Sequence, residues 1–202
     1  MNPTSTGRYQ VSLRRLEPCA RFEAAGQPEA LAAALGAAGL RLPARANTSA
    51  LSDGAVQVDW LGPRRFVISA PTSYEQRLQG LLLEAFSGFE AADVCCTTDM
   101  VVRFELSGAG AADVLAQGTG LGVSDSGFAP GCAAVTDLWG IAAVIERPVD
   151  LPQCRRVVVD RSLAGYVEGW LQTANGLPSA LKPGVMRTAA GAESVAQPGA
   201  MT

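Results

Sequence analysis

The order of predicted elements, which repeats once along the chain, constrains the fold more than any other feature of the sequence. In each half a strand is followed by a helix, two strands and a second helix. The first half spans 20–90 and the second 91–174, with an N-terminal extension (1–19) and a disordered tail (175–202) outside them. Helices between strand pairs predict an α+β fold of two pseudo-repeated halves, in which mostly antiparallel sheets carry helices on one face.

The first half shows both hydrophobic periods. Leu31 and Leu35 lie four residues apart within 27–39, which predicts a helix capped by Gly39 in a left-handed conformation. Thr72 and Glu75 have the spacing of a capping box and predict the start of the second helix. Between the helices, apolar and polar residues alternate as in a half-buried strand, the apolar positions being Val56, Val58 and Trp60.

The second half repeats this order. The apolar segment 132–145 is predicted to be a hairpin that turns at Trp139 and Gly140. Ser162 precedes a segment with helical spacing and is predicted to start the last helix. The half opens with an alternating strand whose apolar positions are Val102, Phe104 and Leu106.

The chain contains no histidine, and this restricts its chemistry. Histidine is the commonest general acid or base near neutral pH, so Ser-His-Asp and Cys-His arrangements are excluded. The five cysteines form no C-x-x-C pair and are interpreted as reduced, buried small hydrophobic residues. Asp93, Asp99, Asp125 and Asp137 form no helical carboxylate pair. We therefore predict no catalytic, cofactor-binding or metal-binding residue on this chain.

Two glycine-rich segments are interpreted as structural. Residues 108–110 lie between a strand and a helix but lack the full dinucleotide-binding pattern and a lysine, which favours a tight turn. Residues 118–122 follow a helix, where they would cap its end.

Charge and hydropathy exclude two classes of partner. The net charge is −3 and no segment is densely basic, so a nucleic acid partner is not expected. No run of 18 apolar residues is present, and the first residues lack the apolar core of a signal peptide. We expect no membrane association and a cytoplasmic location.

Aromatic and arginine side chains are the best candidates for contact with another protein, because both are enriched in protein interfaces. The sequence places an arginine pair after a turn, at a solvated corner or at an interface, and its tryptophans are interpreted as core or interface anchors. The predicted partner interface comprises Trp60, Arg64, Arg65 and Trp139.

Four runs give the chain a resemblance to a known family. They are WLGP at 60–63, FELSGAGAADVL at 104–115, FAPGC at 128–132 and VVVDRSLAGY at 157–166. In order and spacing they resemble the gamma subunit of heterotetrameric sarcosine oxidases. The family usually has an acidic residue and a tryptophan after the Leu-Gly-Pro motif, where this chain has Arg64, Arg65 and Phe66.

The resemblance implies a fold like that of the folate-binding aminomethyltransferase of the glycine cleavage system. It implies a non-catalytic subunit of a flavin-dependent oxidase of sarcosine or a related N-methyl amine, with alpha, beta and delta type subunits as partners. FAD, FMN, NAD, tetrahydrofolate and zinc would be carried by those partners. The alternative is a stand-alone folate-binding module for one-carbon transfer, in which Asp93 or Asp99 would face a central cavity.

Overall fold

The computed structural model describes residues 8–52 and 54–176. The predicted disordered tail therefore lies outside the described residues from residue 177 onward. Its first residue belongs to the folded body, because Asn175 is 1% exposed and its Nδ2 donates to the carbonyl oxygen of Val11 at 2.8 Å. No helix among the described residues is of a length and apolarity that would cross a bilayer.

The described residues form four α-helices and ten strands. The helices are α1 (Pro28–Ala37), α2 (Glu75–Phe86), α3 (Ala111–Ala116) and α4 (Ala164–Ala174). The strands are β1 (Ser12–Arg15), β2 (Ala20–Gly26), β3 (Thr48–Ser52), β4 (Val56–Gly62), β5 (Arg65–Ala70), β6 (Ala92–Cys96), β7 (Val101–Ser107), β8 (Ala133–Leu138), β9 (Ile141–Glu146) and β10 (Cys154–Asp160).

The strands form two five-stranded antiparallel sheets that match in the order of their first four strands and differ in the chain position of the fifth. The first has the order β3-β4-β5-β2-β6, and the second, read from the other edge, has the order β8-β9-β10-β7-β1. The predicted α+β class, with two repeated halves and antiparallel sheets, is confirmed. Each half has three strands between its helices, one more than predicted. In the first half the additional strand is β3, a polar segment that carries no alternating hydrophobic period.

The sheets do not follow the predicted boundaries in sequence. Strand β1 lies in the predicted N-terminal extension, yet it pairs with β7 at the edge of the second sheet. Strand β6 lies in the predicted second half, yet it pairs with β2 in the first sheet. Each sheet thus gains its edge strand from outside the predicted half, and pairing between distant strands cannot be inferred from the hydrophobic period of one segment.

Each sheet is covered on one face by its own pair of helices. Residues such as Phe22, Leu35 and Leu82 form one core between the first sheet and helices α1 and α2. Phe104, Leu115 and Leu171 belong to a second core with α3 and α4. A smaller apolar cluster joins the two sheets, and its buried members are Leu61, Val67, Ala133, Val144 and Val158. The order of layers is therefore helices, sheet, sheet, helices.

The helix ends confirm one of the three predicted caps and contradict the other two. Gly39 has a φ of +68° after α1, as predicted. The capping box of α2 does not form, because a 3₁₀ turn (Thr72–Tyr74) precedes the helix and no side chain caps it. Before α4 the cap is Asp160, whose Oδ1 accepts from the backbone N–H of Ser162 at 2.8 Å, instead of Ser162 itself.

Candidate functional site

The facing surfaces of the two sheets carry polar side chains around their small apolar cluster. On β2, Phe22 and Ala24 pack on the helices. Because successive side chains of a strand point to opposite faces, Arg21 and Glu23 point toward the second sheet. On the second sheet, Glu105 lies between Arg14 and Arg156, with Nη2 of Arg14 at 2.7 Å and Nε of Arg156 at 3.2 Å from its carboxylate oxygens. These two ion pairs link edge strand β1 to β7 and β10.

A cleft of about 730 Å³ opens between the sheets. Residues from both sheets and from the segment before β2 line it, including Cys19, Arg103 and Glu146. Burial raises the pKa of the Cys19 thiol. A catalytic thiol needs a lowered pKa, so Cys19 is not activated as a nucleophile at neutral pH.

Asp59 on β4 is the most perturbed carboxyl between the sheets. It is 0% exposed, and its Oδ1 accepts from Nε2 of Gln57 at 2.8 Å, whereas no described residue hydrogen-bonds its Oδ2. Burial, reinforced by the negative charge of Glu146, raises the pKa of Asp59 to about 7. Perturbed carboxyls are common at functional sites, but a fully buried group offers no access to a substrate. We assign Asp59 to the energetics of sheet packing.

Trp139 in the turn between β8 and β9 and two residues of α4, Tyr166 and Trp170, form an aromatic cluster. The indole rings stack with centroids 6.0 Å apart, and the Tyr166 ring meets Trp170 edge-on at 6.3 Å. Tyr166 Oη also donates to the carbonyl oxygen of Trp139 at 2.8 Å. Tyr166 and Trp170 are 40% and 38% exposed, so the cluster presents an aromatic surface to a partner.

Trp139 is held in an unusual backbone conformation. Its φ is +51°, followed by Gly140 at +82°, the pair of positive values that a two-residue type I′ hairpin requires. A bulky residue rarely adopts this conformation and needs support from its surroundings. The Trp139 N–H donates to the Gly118 carbonyl at 2.8 Å, and the indole packs so closely over Gly118 that a Cβ there would overlap it.

Two buried arginines hold the loop between α3 and β8. Arg155 is 2% exposed and donates to the Val123 carbonyl and to Oδ1 of Asp125, the latter at 2.6 Å. Arg147 lies 2.9 Å from the same carboxylate oxygen and donates to the Phe128 carbonyl. The Arg155 hydrogen bond, with Arg147 nearby, lowers the pKa of Asp125. This role could not be predicted from the sequence, because nothing near Arg147 or Arg155 in the chain identifies the distant carbonyls and carboxylate that they bind.

The four predicted interface residues lie in different environments. Trp60 stacks on Phe66 with centroids 5.5 Å apart and packs against the first core. Arg65 forms an ion pair with Glu23 at 2.8 Å. Arg64 is exposed, and Trp139 belongs to the aromatic cluster. The structure does not bring these four together. That Tyr166 and Trp170 accompany Trp139 is not evident from the sequence, because their spacing also fits a buried helix face.

The other candidate residues have structural surroundings. Asp99 is exposed beside Arg161, and Asp93 lies on edge strand β6, where its Oδ1 accepts from the adjacent Val94 N–H. A Cβ at Gly110 would overlap the Tyr9 backbone, so the 108–110 turn packs on the N-terminal segment.

The prediction that all five cysteines are buried is confirmed for Cys19 and Cys154 only, and Cys132 is half-buried. Cys95 and Cys96 are exposed, because both lie on edge strand β6. Within 8–52 and 54–176, no three Cys, Asp or Glu side chains are grouped so that they would hold a metal ion.

The fold, two helix-covered antiparallel sheets packed face to face, is similar to that of an aminomethyltransferase. A search of solved structures finds aminomethyltransferase T of the glycine cleavage system from Bartonella henselae, with a TM-score of 0.60 and 18% identity. The match covers 82% of this chain and 46% of that chain. It supports the fold alone.

A second structure is more similar in sequence. A chain of the heterotetrameric sarcosine oxidase from Corynebacterium sp. U-96 matches with 25% identity and a TM-score of 0.74, covering 84% of this chain and 85% of that chain. The model of the sarcosine oxidase, gamma subunit family matches residues 21–176, and the chain belongs to that family. No curated protein sequence gives a significant match.

Proposed function

We propose that this chain is the non-catalytic gamma-type subunit of a heterotetrameric, flavin-dependent sarcosine oxidase or a related N-methyl amine oxidoreductase. The observation that carries the proposal is the match, along 84% of this chain, to a chain of the heterotetrameric enzyme. Alpha, beta and delta type subunits would be its partners in the cytoplasm and would carry FAD, FMN, NAD, tetrahydrofolate and zinc.

The surface chemistry supports a subunit role. The aromatic cluster presents two partly exposed rings of α4, and aromatic side chains supply much of the binding energy of protein interfaces. Of the predicted interface residues, Trp139 and Arg64 remain suited to contact a partner. Trp60 and Arg65 are already engaged within the chain.

The alternative, a stand-alone folate-binding module, has weaker support. It requires a carboxylate directed into a central cavity. Asp99 is exposed beside Arg161, and Asp93 lies on an outer edge strand. Neither residue lines the cleft between the sheets.

Co-expression tests the proposal. A tagged copy of this chain is expressed with the large flavoprotein subunits from the same cell and purified through the tag. We expect these subunits to co-elute with flavin absorbance and sarcosine-dependent activity. The double variant Tyr166→Ala/Trp170→Ala should weaken co-elution, whereas Leu83→Ala, at an exposed position on α2, should not. Elution of the wild-type chain alone, with activity intact when it is omitted, would overturn the proposal.

A further inference from the structure

A second opening between the sheets has a different character from the large cleft. This pocket of about 240 Å³ lies beside β2 and β10. Its walls are largely aliphatic side chains of the second sheet and the turn before it. They include Met100, Val101, Val135, Ala142, Val144 and Val158.

One buried charge from the first sheet lines this pocket. Arg21 on β2 is only 3% exposed. Among the described residues, no side chain or carbonyl hydrogen-bonds its guanidinium, and none forms an ion pair with it. A guanidinium that is largely removed from water and has no direct partner is unfavourable, so such a group indicates a place for an anion.

The acids that share the pocket are engaged elsewhere. Glu23 accepts from Nη2 of Arg65 at 2.9 Å and lies 2.8 Å from its Nε. Asp160 caps the turn before the last helix, and its Oδ1 accepts from both the N–H and the hydroxyl of Ser162. Neither carboxylate neutralises Arg21 by direct contact.

Asp59 is a further acid within electrostatic reach of Arg21. It hydrogen-bonds Gln57, and burial keeps much of its population protonated near neutral pH, since its pKa is raised to about 7. It therefore supplies only part of a counter-charge at this pocket. Glu146 is a further buried acid near Asp59, but it lines the large cleft and not this pocket.

We propose that this pocket binds a small aliphatic carboxylate, with the carboxylate on Arg21 and the aliphatic part against the valine and alanine walls. The planar guanidinium matches a carboxylate through two parallel hydrogen bonds. Aliphatic walls favour a short hydrocarbon group over a fully hydrated inorganic anion. This site does not depend on the proposed subunit function, because it lies within the chain.

Calorimetric titration of the full chain with isobutyrate tests the site, with isobutyramide as the neutral ligand of the same shape. We expect saturable binding of isobutyrate, and binding of the amide weaker by about tenfold or more, because the charge-assisted contact is lost. Arg21→Gln should lose binding to a similar extent, and Arg45→Gln, at an exposed arginine, should retain it. Equal binding of acid and amide, or no binding of the acid, overturns the proposal.

A rim variant keeps the test valid if Arg21→Gln does not fold. Val135 lines the pocket and is 41% exposed, so a polar residue is tolerated there. Val135→Asp places a negative charge at the mouth and should weaken isobutyrate binding severalfold more than Val135→Asn does. Equal affinities of the two variants would contradict a carboxylate site at Arg21.

Discussion

Asp59 shows how one residue can couple the packing of the sheets to pH. Its pKa of about 7 in the folded protein lies above the ordinary aspartate value of about 4. The folded state therefore holds the proton more tightly than the unfolded state does. The contribution of Asp59 to the free energy of unfolding is largest below about pH 4, falls as the pH rises to about 7, and is constant above that.

The change Asp59→Asn removes this ionisation while keeping the shape of the side chain. We expect the variant to gain stability relative to wild type as the pH rises from about 5 to about 8, by on the order of 2 kcal/mol. Urea unfolding at several pH values measures the difference. Asp99→Asn, at an exposed carboxylate, is the control and should show no such trend. A difference between Asp59→Asn and wild type that does not vary with pH would contradict this account.

At the scale of elements, β1 tests whether the N-terminal segment is part of the second core. Leu13 is 7% exposed within that core, whereas Arg15 on the same strand is exposed. Leu13→Ala should lower the free energy of unfolding by about 2–4 kcal/mol because it leaves a cavity. Arg15→Ala should change it by about 0.5 kcal/mol or less. Similar effects of the two changes in chemical denaturation would show that β1 does not pack as described.

The hairpin of β8 and β9 offers a second test at this scale. In Gly118→Ala the new Cβ would overlap the Trp139 indole, which must then leave its stack on Trp170. We expect a loss of about 1–3 kcal/mol and a change in tryptophan emission. Gly120→Ala, where a Cβ meets no atom within 4 Å, should affect neither. An unchanged emission spectrum in Gly118→Ala would contradict the packing of Trp139.

For the whole molecule, we expect the two helix-covered sheets to unfold together. They share an apolar cluster, and their edges are joined where the Ser49 N–H donates to the Gly131 carbonyl at 2.8 Å. Trp60 reports on the first core and the Trp139–Trp170 pair on the second. In urea unfolding of Trp60→Phe, and separately of Trp139→Phe/Trp170→Phe, tryptophan fluorescence should show one transition. Its midpoint should equal the midpoint measured by circular dichroism.

Disruption of the shared cluster should affect both cores. Val67→Asp places a charge at a position that is 0% exposed and should cost about 3 kcal/mol or more. It should lower the midpoint reported by Trp60 and by the Trp139–Trp170 pair alike. Val149→Asp, at a position 70% exposed, is the control. A lower midpoint from Trp60 alone, or from the Trp139–Trp170 pair alone, would mean that the sheets unfold independently.

The sequence by itself determined the elements whose signals are local. Leu31 and Leu35 mark α1 by helical spacing, and Trp139 with Gly140 marks the turn of a hairpin. These signals lie within a few residues of one another, so the period of side chains along one segment is enough to find them. The family resemblance, confirmed over residues 21–176, likewise rests on short runs in sequence.

Only the tertiary structure decided which strands meet and which polar groups face each other. Strand β1 pairs with β7 about ninety residues away, and β6 forms the edge of the first sheet beside β2. Nothing in the sequence of either segment identifies its partner strand. The buried guanidinium of Arg21 and the shifted carboxyl of Asp59 exist only because two sheets are packed face to face. The physical reason is that a hydrophobic period fixes which face of a strand is buried, whereas the partner of that face depends on the whole chain.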